Sequence, residues 1–482
     1  MSRTVRKAAI VFMTTLGCFA CALSHELSTQ SLRLLLEQEQ HSSTSLQPWA
    51  ELCIPVATML GCLLSWIPLH FLGRRSTLEL LSAPSLILGC CLTFTFYHLT
   101  TPTEPPIPHI QYSFLLGLCL QGLSYGLTFV ASPIYILETI DEFSLSLLLI
   151  TTQLSVALGV TVASTFTIEN STYFYHLVPA ACQIVCLVGY YFLPESPRWL
   201  LLRKLRVDDA KTALRLLKEY STADYDVCKE LADFQKDDER FKSGVHSAVL
   251  YLHPLLIAVG LSCLWQLYGL YVYHFYAAWA FKFAGMSDSW SSKANVTNAC
   301  VRTASITVSV VVFFFCRRSL PHCVLLMFSS GLATVALTVT GTCFYGFSQG
   351  DTWSTSVSWL PVTVHLVFEC AFWFGPGSQA YIIAILMTPV PLRPTVSSIA
   401  GSLHWLGGIV GLRLVRPMIN TLYPFGTFWF FAGMSTIGLI CIVCLVIPEL
   451  NKTELSAVKK TQILFLKGRA VSEGEESNVT AN

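Results

Sequence analysis

Apolar stretches long enough to cross a bilayer follow one another along most of the 482 residues. The clearest occupy 50–71, 112–131, 145–165, 248–270, 324–343 and 425–447. About 20 apolar residues in a helix match the hydrocarbon thickness of a membrane. Reading these runs against charged, Pro and Gly breaks predicts twelve helices. They start near residues 8, 50, 77, 111, 145, 173, 247, 299, 320, 357, 395 and 424. Most connections are short. The exceptions are loops at 25–49 and 283–297, a segment at 203–245 and a polar tail after 448.

Composition agrees with the pattern. Hydrophobic residues make up 53% and charged residues 12%, about half the charge of an ordinary soluble protein. The formal net charge is only +1, but its placement carries information. The first apolar run begins after Arg3, Arg6 and Lys7 and reads as a signal anchor that is also the first span. With a cytoplasmic N-terminus and twelve spans, most Lys and Arg fall on the cytoplasmic side, as the positive-inside rule requires. Both termini are then cytoplasmic. The sequons at Asn170 and Asn295 both fall outside, where glycosylation occurs. The eighteen cysteines sit mostly inside apolar runs, with neither zinc-site nor disulfide-framework spacing. No cofactor or metal is called for, and no nucleic-acid partner. The lipid bilayer is the expected surrounding, and the sequence does not speak to oligomeric state. Without a Walker A motif, ATP does not drive the chain.

The segment 203–242 differs in kind, with ten acidic and ten basic residues. In it Ala210, Leu214 and Leu217 share one helical face. Two readings stand side by side: a solvated linker, or short amphipathic helices packed beneath the membrane part. The expected organisation is a six-helix bundle at 1–202, a cytoplasmic helical linker at 203–245, a second bundle at 246–447 and a tail at 448–482. The two halves echo each other. Gly73-Arg74-Arg75 follows span two and Cys316-Arg317-Arg318 follows span eight. Pro194-Glu195 follows span six and Pro448-Glu449 follows span twelve. Such parallel symmetry is expected of two bundles related by an axis along the membrane normal.

The motifs along nearly the whole chain resemble those of the sugar porters of the major facilitator superfamily. PESPRWL at 194–200 is close to that family's signature. Pro133-Ile134-Tyr135-Ile136-Leu137-Glu138 fits its PxYxxE element, and Gly73-Arg74-Arg75 its GRR turn. Trp265-Gln266-Leu267-Tyr268-Gly269 is similar to its QQLSG element in span seven. Gly375-Pro376-Gly377 and Leu392-Arg393-Pro394 stand in and after span ten, and 448–453 is a worn PETKGRT. The resemblance implies an all-α membrane fold, with twelve transmembrane helices in two pseudo-symmetric bundles that rock about a central site. It implies a carrier, not an enzyme. A cytoplasmic gate is expected from Arg74, Arg75, Glu138, Glu195, Arg198, Arg317, Arg318 and Arg393, pairing where water partly reaches them. The alternative for the lone arginines is plain positive-inside anchoring.

The chain also departs from the family. His70 and the position of Phe313 replace acids ahead of the two arginine pairs. Leu118, Leu145-Ser146 and Leu386 replace charged or small family residues. This thinned charge set predicts a weak cytoplasmic lock and an inward-open bias. In the expected sugar site, Gln153 and Gln266 match family glutamines, while Trp265, Tyr271, Tyr381 and His404 replace or vary family positions, beside Trp405. Sugar recognition uses amides for hydroxyls and rings for the C–H face, and here amides are fewer and rings more numerous. Ser24 stands where proton-linked members carry an acid, which favours passive transport. His365 and Glu369, one turn apart, read as a buried pair or a proton relay. The aromatic run at 268–276 reads as packing, with Gly269 as a bend. The resemblance thus implies facilitative movement of a hexose, trehalose or related polyol across the plasma membrane. Two rivals are a carrier of a less polar solute and a non-transporting sensor on the same fold.

Overall fold

The computed structural model describes residues 3–39, 47–99, 108–140, 145–166, 176–204, 206–217, 225–244, 252, 256–257, 259–263, 265–283, 293–315, 322–350, 356–388, 390–446 and 448. Among these, all regular structure is helical. This follows from the apolar runs: in lipid each backbone N–H and C=O must be satisfied within its own segment, and a helix does that. Pro55 and Pro133 sit inside helices that continue past them, as membrane helices allow when neighbouring groups take up the carbonyl that proline frees.

Span one is Arg3–Glu39, and span two is Gln47–Leu64 continued by Trp66–Phe71. Span three joins Arg74–Thr77, a π-helical turn at Leu78–Ser82 and Ala83–Leu99. Spans four, five and six are Pro108–Thr139, Leu145–Phe166 and Leu177–Tyr191. Span seven includes the 3₁₀ turn Trp265–Tyr268 and the helix Leu270–Phe283. Spans eight and nine are Ala294–Phe315 and His322–Gln349, and span ten is Leu360–Phe374 with Pro376–Met387. Arg393–Cys441 and the π turn Ile442–Val446 contain spans eleven and twelve. The chain reverses between them at Tyr423, with φ 57° and ψ 169°, just before Pro424. Seven of the described helices are by themselves long and apolar enough to cross a membrane. The longest, 393–445, is two crossings.

Two mid-membrane breaks matter for the site. Gly269 adopts φ +66°, and the Cβ of any other residue there would lie 2.6 Å from the Phe431 ring. Positive φ and a close ring together require glycine. Gly375, at φ −122° and ψ −94°, divides span ten, and Pro376 then starts the second piece.

Below the bundles, Pro197–Lys204, Val207–Leu217 and Tyr225–Gly244 form three short helices. Trp199, Leu201, Ala210, Leu214, Val227 and Leu231 make their shared core. Leu217 instead joins the core formed with Ile10, Leu69, Leu78 and Tyr135 of the membrane helices. Arg6 Nη1 donates to the Leu216 carbonyl at 3.5 Å. Of the two sequence readings of this segment, packing under the membrane helices is the one observed.

Candidate functional site

Two seams join the halves. At the membrane face carrying the Gly73-Arg74-Arg75 turn, here the motif face, spans two and eleven meet. Ser65 Oγ lies 2.7 Å from Ser398 Oγ, and Ser402 Oγ donates to the Met59 carbonyl at 3.5 Å. Toward the opposite face, spans five and eight meet. Thr161 Oγ1 donates to the Ala299 carbonyl at 2.9 Å and lies 2.8 Å from Thr303 Oγ1. Both seams are closed by neutral hydroxyls. These hydroxyl pairs are contacts between the halves that a count of charges does not register.

Between the seams the centre is filled by rings from both halves. Phe129 of span four packs on Tyr381 at 4.5 Å between centroids and on His404 at 5.7 Å. Trp265 stands 4.3 Å from His404 and 5.3 Å from Phe372. Trp405 meets His25 at 5.3 Å and Tyr125 at 5.5 Å, both in the N-terminal half. These offset and edge-to-face pairs are the arrangements aromatic quadrupoles favour. The polar atoms are few. Gln266 Nε2 donates to the His404 carbonyl at 2.7 Å, and Trp265 Nε1 to the Gly377 carbonyl at 3.1 Å. Among the described residues, His25 Nε2 and Trp405 Nε1 are buried and find no hydrogen-bond partner.

The structure therefore brings together Gln266, Trp265, Tyr381, His404 and Trp405 from the expected site. Gln153 is half-buried on span five, beside Leu154, which packs on the core that contains Tyr381. Of Tyr271 only the backbone lies within the described residues. Sequence reading missed Phe129, Tyr125 and His25. Their one signal is the i, i+4 spacing of Tyr125 and Phe129 on span four, which ordinary packing produces equally well.

The charged turn at the motif face is drier than expected. Arg74 Nε lies 2.8 Å from Glu138 Oε2, with side chains 8% and 2% exposed. Arg74 Nη2 donates to Glu138 Oε1 at 2.9 Å, the two-point geometry that suits a guanidinium. Ser196 donates to Glu138 Oε2 at 2.5 Å. Glu195 accepts the backbone N–H groups of Arg74 and Arg75 at 2.8 and 3.0 Å, and that of Ser76 at 3.1 Å. A carboxylate there satisfies the open donors that begin span three. Gly73 makes this possible: its φ is +112°, and an added Cβ would lie 2.5 Å from the Glu195 carboxylate. Arg75 pairs with Glu79 at 3.2 Å and donates to the Leu193 carbonyl. The Gly73-Arg74-Arg75 turn, with Glu138 and Glu195, thus clamps spans three, four and six within one half. Arg198 lies over the Phe234 ring at 4.8 Å, against the linker helices. Arg393 Nε donates to the Thr388 carbonyl at 3.2 Å, at the end of span ten. Arg317, Arg318 and Asn170 lie outside the described residues, whereas Asn295 is exposed at the start of span eight.

Ser24 takes part in a neutral network. Ser24 and Ser28 donate to Gln121 Oε1 at 2.6 and 2.5 Å, and Gln121 Nε2 donates to Thr93 at 3.1 Å. The expected His365–Glu369 pair is corrected. His365 Nε2 bonds Asn298 Oδ1 of span eight at 2.8 Å. Glu369, fully buried, bonds His274 Nε2 of span seven at 3.1 Å and accepts from Trp373 Nε1 at 2.9 Å. The two groups thus bond to side chains of other helices and not to each other, while Glu369 keeps one contact along its own helix, with Trp373.

Comparison with known proteins bears on these features. The family described as Sugar (and other) transporter matches residues 8–461. The chain is 26% identical over 426 residues to a facilitated trehalose transporter, Tret1, of Anopheles gambiae. That match covers 86% of this chain and 50% of the relative, so the chain spans about half the relative's length. Among solved structures, the major facilitator superfamily proton:xylose symporter XylE bound to 6-bromo-6-deoxy-D-glucose superposes with a TM-score of 0.74 at 17% identity, over 91% of this chain and 96% of that one. The inward-open form of XylE from E. coli superposes at 0.62 and 16% identity, over 90% and 96%. The fold is therefore that of the major facilitator superfamily, and the helices make a multi-pass membrane protein.

Proposed function

Because the chain belongs to the Sugar (and other) transporter family, we propose that it carries a sugar across a membrane, passively, by alternating access at the ring-lined centre. The observation that carries this reading is the meeting of Gln266, Trp265, Tyr381, His404 and Trp405 between two hydroxyl-closed seams. Opening one seam and then the other exposes that centre to each side in turn. The rings offer flat faces to the C–H side of a pyranose, and Gln153 and Gln266 offer amides to its hydroxyls. Ser24, in its neutral network, puts no carboxylate at the position where proton-linked members carry one, which supports movement down a gradient; Glu26, two residues on, accepts from Gln30 Nε2 at 2.8 Å. The candidate substrates are a hexose, trehalose or a related polyol.

The same reading includes the rest of the organisation: bundles at 1–202 and 246–447, the linker at 203–245, cytoplasmic termini, and residence in the plasma membrane. Asn170 and Asn295 are its external glycan acceptors. The clamp of Arg74, Arg75, Glu138 and Glu195 keeps the first bundle rigid while it rocks, and Arg198, Arg317, Arg318 and Arg393 line the cytoplasmic face.

The test is counterflow of radiolabelled glucose, trehalose and inositol in proteoliposomes, with Gln153→Ala and Gln266→Ala in parallel. Accumulation of one label in preloaded vesicles, reduced at least about tenfold by Gln266→Ala, is the expected result. A second reading, a less polar solute, is favoured by the committed Gln266 amide and the crowd of rings. It predicts that no sugar in the panel exchanges while an aromatic glycoside does.

A further inference from the structure

Glu369 is a carboxylate with no exposed surface, in the middle of a membrane helix. Such a group is costly and usually functional. Its surroundings come from three spans. His274 Nε2 of span seven lies 3.1 Å from Oε1, and Trp373 Nε1 of its own span donates to Oε2 at 2.9 Å. Arg302 of span eight holds its guanidinium 4.2 Å from the Trp373 ring centre. Among the described residues the other titratable neighbours facing Glu369 are His365, bonded to Asn298, and Tyr273, whose hydroxyl lies 2.7 Å from Thr340 Oγ1 of span nine.

The charge balance of this group is telling. With both imidazoles neutral, Glu369 and Arg302 cancel. A proton on His274 adds one positive charge directly against the carboxylate and converts a hydrogen bond into an ion pair, which is the stronger contact. The His274 side chain is 31% exposed while Glu369 is dry, so of the two the histidine is the less enclosed. His365 is buried and bonded, so it is the structural partner of span eight.

The position gives the charge change a consequence. His274 follows Gly269 by five residues and Glu369 precedes Gly375 by six. The bond therefore ties the far pieces of the two broken helices, spans seven and ten, to each other. Trp373 in turn meets Trp265 at 5.8 Å, and Trp265 belongs to the central ring cluster. We propose that His274 and Glu369 form a proton-binding site, entered from the face opposite the charged turn, that controls the rate of alternating access. With His274 protonated, the ion pair locks the far pieces of spans seven and ten together and slows the carrier. With His274 neutral, the pieces separate more readily. The site regulates and does not couple: it lies within one half, and its proton does not cross. The control of rate rests on the carrier reading above; the binding of a proton does not.

The test uses the full chain and two readouts. The first needs no substrate. Tryptophan emission of the purified protein is titrated between about pH 5 and about pH 8, where imidazole changes charge. A step is expected in the native protein and in Trp265→Phe, and is lost in Trp373→Phe and in the double variant His274→Gln/Glu369→Gln. That double variant replaces the charged pair by a neutral hydrogen-bonded one, and Arg302, half-buried against Trp373, is left without the carboxylate that balances it. His98→Gln, at the exposed end of span three, keeps the step. The second readout is equilibrium exchange of radiolabelled trehalose and glucose in proteoliposomes, with equal pH inside and out. The exchange rate rises about three- to tenfold from about pH 5.5 to about pH 8, and the double variant is fast and flat. Absence of the emission step, or its survival in the double variant, overturns the proton site. A step with pH-independent exchange overturns the control of rate, and sugar accumulation driven by a pH gradient overturns regulation in favour of coupling. If the step is present and neither sugar exchanges, the sugar reading fails while the proton site stands.

Discussion

Ser65 and Ser398, 333 residues apart in the chain, hold their hydroxyl oxygens 2.7 Å from each other across the two halves. Each serine also has a carbonyl of its own helix within reach, Ser65 that of Cys62 at 2.6 Å and Ser398 that of Pro394 at 2.8 Å, so one hydroxyl donates across the seam while the other donates to its carbonyl. A hydroxyl pair with fallback partners on its own helices can part without leaving a buried orphan, so parting this pair costs about 1 kcal/mol. A buried ion pair at the same place would cost several times more to separate.

Ser398→Ala is accordingly expected to loosen the motif-face seam and raise the open-to-closed ratio roughly fivefold. Cys62 reports it: its sulfur is buried at the same seam, 3.2 Å from the position a Cβ would take at Gly401. Peptide mapping after alkylation should show faster modification of Cys62 in Ser398→Ala. An unchanged rate would remove the serine pair from the account of closure.

Glu138→Gln leaves Arg74 charged in a nearly dry pocket. Breaking one partner of such a pair costs about 3–5 kcal/mol, so the unfolding midpoint in detergent should fall by several degrees. The effect should be structural: Glu138, Arg74 and Ser196 belong to one half, and the rate per folded molecule should change little. Thermal unfolding by intrinsic fluorescence, alongside counterflow normalised to folded protein, separates the two.

Gly73→Ala forces a side chain into positive φ and against the Glu195 carboxylate. Strain of about 1–3 kcal/mol is expected from the backbone, with further loss from displacing the carboxylate that caps span three. The measurement is the same unfolding midpoint. A neutral result would mean that Glu195 moves aside freely, contrary to its hydrogen bonds with Arg74, Arg75 and Ser76.

Phe129→Ala removes the ring that touches both Tyr381 and His404. Truncating a packed Phe costs about 3–5 kcal/mol, so a lower midpoint is expected. The space it leaves lies at the proposed site. Exchange of a disaccharide relative to a hexose should therefore rise by at least about threefold. If both fall equally, the ring is packing and not a wall of the site.

The sequence by itself determined the membrane class, the helical architecture, the position of the punctuating turns and the family. These follow from local causes: apolar length sets the spans, Gly and Pro set the breaks at 269 and 375, and lipid leaves the backbone no choice but helix. It also marked Gln266, Trp265, Tyr381, His404 and Trp405, because a family motif fixes residues by their place along a helix. What only the tertiary structure decided is which side chain faces which. Nothing along the chain announces that Glu138 belongs to Arg74, that Glu369 turns from His365 to His274, or that Phe129 plugs the centre between Tyr381 and His404. A helix with apolar residues on every side gives no periodic clue to its inward face. Pairings across 64, 95 and 333 residues are set by how the helices pack, through small residues and interhelical hydrogen bonds that composition does not rank.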